Sequence, residues 1–136
     1  MRFFLPAALA ALLAPLAPAH ADETWRADTG MIAYLAEEEG YAIFSFTTDQ
    51  GYPAKLYIPG LAGNYDSRGT HDAFWIGEGA ATCPADLGYG EAITGNWGQA
   101  RLLFDEPAFP TSFTLLMGDC FGALDRAVRA ETTYYD

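Results

Sequence analysis

The chain has 136 residues, with 7 Lys and Arg against 18 Asp and Glu, a formal charge of -11 and a hydrophobic content of 51%. That negative field opposes nucleic acid and anionic lipid, which are polyanions bound through Lys and Arg contacts. It attracts cationic proteins, peptides or divalent cations, and it also serves solubility on its own.

Residues 1–21 read as an export signal. Arg2 supplies the positive start, Phe3 through Pro15 an apolar stretch, and Ala19-His20-Ala21 a small-x-small cleavage site. Pro6, Pro15 and Pro18 interrupt the apolar run, which falls short of the roughly 20 residues needed to span a bilayer. The expected product is a single β-rich domain over 22–136, periplasmic or secreted, with no membrane span after cleavage. Losing Arg2 takes its charge to -12.

Within that domain, apolar runs of strand length recur between turn residues. Met31–Ala36 comes first, and Glu37-Glu38-Glu39 with Gly40 is expected as a solvated turn. Tyr41–Thr48 has the cleanest alternation, with Ala42, Phe44 and Phe46 on one face and Ser45 and Thr47 on the other. Asp49-Gln50-Gly51-Tyr52 supplies a turn and Ala54–Ile58 a return strand, which together predict a hairpin. Gly60–Asp72 and Pro84–Asn96 read as long loops, although Tyr89 and Ile93 suit an edge strand. Strands are predicted at Ala73–Ile76, Ala100–Phe104 and Ser112–Met117, the last preceded by the stiff Phe109-Pro110 pair. Phe121, Leu124, Ala127 and Val128 fall at helical spacing, with Arg126 and Arg129 placed to suit a helix C-terminus, so one short C-terminal helix is expected. The resulting fold class is all-β, a small antiparallel sandwich or partly open barrel.

Cys83 and Cys120 are the only cysteines, and an oxidising compartment allows them a single intramolecular pairing. Such a staple is worth roughly 4 kcal/mol by loop-closure entropy, comparable with the whole net stability of a small domain. One mature histidine and no CxxC leave too few soft ligands for a transition-metal site, and no cofactor is implied.

Chemistry-bearing residues concentrate in one loop. Ser67, His71 and Asp72 have the composition of a hydrolytic triad, but no GxSxG surrounds Ser45, Ser67 or Ser112. Asn64, Asp66 and Asp72 offer oxygen ligands to calcium, yet the stretch does not match an EF-hand and carries Arg68 inside it. Tyr52, Tyr65 and Tyr89 lie near turns and are expected to be partly exposed, which suits a partner surface.

The Trp75–Cys83 and Phe109–Cys120 segments resemble those of small exported β-domains. In gross profile the chain is similar to the periplasmic lysozyme inhibitors, which are small disulfide-bearing β-domains; no motif carries individual residues across. The leading expectation is therefore a non-enzymatic binding or inhibitory module for a cationic protein such as a lysozyme-like enzyme. Its candidate contact residues are Tyr52, Tyr65, Asp66, His71, Asp72 and Tyr89, and no catalytic residue is assigned. The competing expectation is a small hydrolase or calcium-dependent module built on the 64–72 loop.

Overall fold

The computed structural model describes residues 23–89 and 92–136, so the expected signal at 1–21 lies outside the described residues. Ten strands follow in order: β1 (Thr24–Ala27), β2 (Gly30–Glu38), β3 (Tyr41–Thr47), β4 (Pro53–Pro59), β5 (Thr70–Gly77), β6 (Leu87–Tyr89), β7 (Ala92–Thr94), β8 (Trp97–Phe104), β9 (Phe113–Met117) and β10 (Arg126–Thr132). Eight of them close into a barrel in the order β1-β10-β9-β8-β5-β4-β3-β2, and β6 pairs only with β7. Every barrel pairing is antiparallel. The result is an up-and-down barrel with one hairpin inserted between β5 and β8, in which each barrel strand pairs with two neighbours.

The inward faces follow the period-two pattern. In β8, buried Ala100, Leu102 and Phe104 alternate with exposed Gln99, Arg101 and Leu103; in β9, Phe113, Leu115 and Met117 point inward. Side chains fill the centre of an eight-stranded barrel. Here the filling is aromatic, with Trp25 stacked on Phe44 at 4.9 Å and edge-on to Phe113 at 5.0 Å. The Trp25 indole N–H donates to the Thr111 carbonyl at 2.9 Å, so its buried polar atom is satisfied.

Several elements differ from expectation: β1 is not among the expected strands, and Thr70–Asp72, read as the end of a loop, begin β5. Among the described residues there is no helix, and the expected C-terminal helix is largely strand β10. Val128 and Ala130 pack on the interior while Ala127, Arg129 and Glu131 are exposed, and β10 pairs with both β9 and β1. The barrel needs an eighth strand to close, and satisfying two sets of backbone groups outweighs a short helical pattern weakened by Gly122. The run of three glutamates is only partly a turn, because Glu37 and Glu38 belong to β2. The 84–96 stretch, read as a loop, carries the β6–β7 hairpin.

That hairpin region covers a second apolar cluster on the outer wall, formed by Ile43, Tyr57, Ile76 and Trp97 with Leu87 and both cysteines packed against it. The Cys83–Cys120 disulfide spans 37 residues and ties the insertion to the β9–β10 loop, with the two Cα atoms 5.5 Å apart. Beside it, Gly98 allows close backbone approach, since a Cβ there would stand 1.9 Å from the Gly118 carbonyl oxygen. Replacing both cysteines with serine should lower unfolding free energy by about 2–4 kcal/mol in urea titration. An unchanged midpoint would show that the staple adds nothing.

Candidate binding site

The antiparallel path gives the barrel two chemically different ends. At one end lie the β2–β3, β4–β5 and β8–β9 connections and both chain termini of the described domain; at the other lie the β1–β2, β3–β4 and β9–β10 connections and the hairpin insertion.

The first end is sealed. Residues 60–69 fold over it, and Leu61 and Arg68 are buried to 0% and 1% exposure. The Arg68 guanidinium donates to both oxygens of the Glu23 carboxylate at 2.7 and 2.9 Å, and both side chains are withdrawn from solvent. It also stacks against Tyr65, Phe104 and Phe109 at 5.0, 5.3 and 5.6 Å. The flat, weakly hydrated cation suits this position, where a carboxylate fork and aromatic faces meet. Nearby, the Glu37 carboxylate accepts hydrogen bonds from the Tyr34 and Tyr65 hydroxyls and from the Gly63 N–H.

The residues singled out in the sequence do not assemble into one site. Tyr65, Asp66 and His71 belong to the sealed end, with Tyr65 packed against the core and Asp66 exposed. His71 shares the inward face of β5 with Ala73 and Trp75; its register partner is buried Leu102, and its buried Nε2 has no hydrogen-bond partner among the described residues. Asp72 points the opposite way, as successive strand residues must, and accepts from Arg101 across the outer wall at 2.8 Å. His71 and Asp72 therefore do not form the base and carboxylate of a triad. Ser67 N–H donates to Asn64 Oδ1 and the Ser67 carbonyl accepts from Asn64 Nδ2, which engages the amide expected as a calcium ligand. Among the described residues no group of three or more His, Cys, Asp or Glu is placed to hold a metal. Tyr52 lies at the other end and is 43% exposed; the Tyr89 side chain lies outside the described residues.

The other end opens into a cavity of ≈ 400 Å³. Ile32, Phe46, Leu115, Met117 and Val128 form its apolar floor, and Asp28, Thr29, Thr47, Thr48, Asp49, Arg126 and Arg129 its polar surround, Arg129 being paired with Asp105 and Glu131. The turns make this rim. Thr48 closes the β3–β4 connection by accepting from the Tyr52 N–H through Oγ1 at 3.1 Å, which presents Asp49 at the mouth. Arg126 begins β10 two residues before inward-packed Val128. Its guanidinium donates to Asp119 at 3.0 Å and lies 3.9 Å from Asp49 and 4.0 Å from Asp125. The hydrogen bond to Asp119 is the largest cause raising the Arg126 pKa above the ordinary arginine value. A second groove, of ≈ 480 Å³, runs along the outer wall between Lys55, Tyr57, Ile76 and Ile93. The mouth is the stronger candidate, because an apolar floor and convergent polar groups meet there at the end of a barrel.

Sequence reading missed Asp28, Asp49 and Arg126 as neighbours. The available signal was strand parity in 126–132, which the helical spacing masked. Comparison with known proteins finds no matching family model, no matching curated protein and no matching solved structure.

The sealed end has a measurable alkaline signature. Burial, together with Glu37, pushes the Tyr65 hydroxyl up to about 12, partly offset by the neighbouring Tyr34 hydroxyl; burial and the same carboxylate raise Tyr34 as well. A raised folded-state pKa leaves stability intact below the unfolded value of about 10 and removes it as pH rises through 12. Unfolding free energy should therefore hold to about pH 9 and decline between about 10 and 12, less steeply in Tyr65→Phe. Equal slopes in the two proteins would contradict the assignment.

Proposed function

We propose that this domain is an exported, non-enzymatic binding module that engages a cationic protein partner at the open end of its barrel. The observation that carries the reading is the mouth itself, an apolar cavity with Asp28 and Asp49 at its rim, where Asp49, Asp119 and Asp125 surround the guanidinium of Arg126. A disulfide and the sequence signal are compatible with export.

Magnitudes favour a combined site. Two opposite charges about 4 Å apart attract by about 4 kcal/mol at an effective dielectric of about 20, and salt screens exposed charges beyond about 8 Å at physiological strength. The overall charge of -11 therefore steers the partner, while close contact at the mouth supplies selectivity.

Calorimetric titration of the mature oxidised domain with lysozyme, ribonuclease A and cytochrome c, three basic proteins, should find saturable binding for at least one at low ionic strength, weakening with salt. Asp28→Asn with Asp49→Asn should weaken it about tenfold, about 1.4 kcal/mol. Asp66→Asn with Asp72→Asn, the same charge change away from the mouth, should leave it within about twofold. No saturable binding to any of the three, or equal losses in both double variants, would overturn the reading.

A further inference from the structure

The open mouth is blind. Its floor residues Ile32, Leu115 and Met117 are 2%, 1% and 4% exposed, and beneath them the Trp25, Phe44 and Phe113 rings fill the barrel. A lone ammonium or guanidinium pushed onto that floor would lose its hydration against hydrocarbon without gaining a partner. An apolar side chain gains there what the cation would lose. The carboxylates sit above the floor, so a cation is satisfied only at the rim. A volume of ≈ 400 Å³ lies in the range of small-ligand sites and accommodates more than one side chain.

Resting on the reading of the domain as a binder of cationic proteins, we infer that the mouth takes a peptide segment of the partner in which an apolar side chain fills the floor and a neighbouring arginine or lysine reaches the rim. Arg126 shows where that cation goes. Its guanidinium already lies among Asp49, Asp119 and Asp125, so in the free protein it occupies the subsite that the partner's basic side chain would enter. The opposite occupant, a carboxylate held by Arg126, is disfavoured on two counts. Arg126 is committed to Asp119 and Arg129 to Asp105 and Glu131, and an anion would approach a molecule of net charge -11.

The two occupants make opposite demands on Arg126, which sets the experiment. The full mature domain, oxidised and labelled with nitrogen-15, is titrated with the blocked peptides acetyl-Gly-Leu-Arg-Gly-amide, acetyl-Gly-Gly-Arg-Gly-amide and acetyl-Gly-Leu-Glu-Gly-amide while amide shifts are followed. The Leu-Arg peptide should shift Thr29, Thr48, Met117 and Val128 saturably. It should bind at least about fivefold tighter than either of the others, and Arg126→Gln should tighten it about threefold or more. Weaker Leu-Arg binding in Arg126→Gln, Leu-Glu binding as tightly as Leu-Arg, or no saturable shift at the mouth would overturn the inference. Val128→Phe, its fold checked by the same spectra, separates this failure from failure of the broader reading. A basic protein that binds Val128→Phe and the unaltered domain equally engages the acidic rim without inserting, whereas a domain that binds neither peptide nor basic protein fails both.

Discussion

The buried pair of Arg68 and Glu23 is the constraint on which the rest of the barrel depends. Withdrawing two ions from water costs several kcal/mol each, and their attraction offsets this only with good geometry and further partners. Here the carboxylate is bound by both guanidinium nitrogens, and three aromatic faces surround the cation. Once that cost is met, neither ion can be released singly without stranding the other. The pair joins residues 45 apart, the approach to β1 and the end of the β4–β5 loop, so it fixes where the loop lies over the barrel. Backbone bonds continue the closure, from Arg68 N–H to the Pro107 carbonyl and from Phe109 N–H to the Tyr65 carbonyl.

Sealing one end gives the molecule a direction. An up-and-down barrel joins successive strands by short local connections, and its two mouths are equivalent until side chains distinguish them. In this chain the long β4–β5 loop and the β8–β9 loop converge on one mouth, while short turns and the disulfide-tied β9–β10 loop frame the other. The open end thereby retains a cavity while the aromatic filling maintains the fold beneath it. Its acids come from separate connections, with Asp28 after β1, Asp49 after β3, and Asp119 and Asp125 between β9 and β10. A single network at Arg126 draws most of them together.

What could be read from the sequence was local. Period-two alternation located β3 and apolar runs of strand length located β8 and β9, and expected export with two cysteines implied the disulfide that is present. The missed features were non-local. β10 carries a short pattern compatible with helix, and only pairing with β1 and β9 decides its conformation. Arg68 stood out only as an obstacle in a calcium loop, because the sequence around it contains no sign of Glu23 at its side. Ser67, His71 and Asp72 were attractive by adjacency, whereas strand parity sends His71 inward and Asp72 outward. Of the candidate residues whose side chains are described, Tyr52 alone stands at the open end, and the acids there became neighbours only through barrel closure.

The most direct test of the seal is the unfolding free energy of Glu23→Gln, measured by urea titration with native-state hydrogen exchange on the same protein. The substitution keeps the shape of the side chain and leaves the Arg68 cation buried without its counter-charge. It should cost about 3–5 kcal/mol, with exchange accelerating first at Tyr34, Arg68 and Phe109 and the amides around the open mouth following only with global unfolding. A loss below about 1 kcal/mol, or acceleration confined to the open mouth, would contradict the claim that this ion pair holds the barrel's closed end.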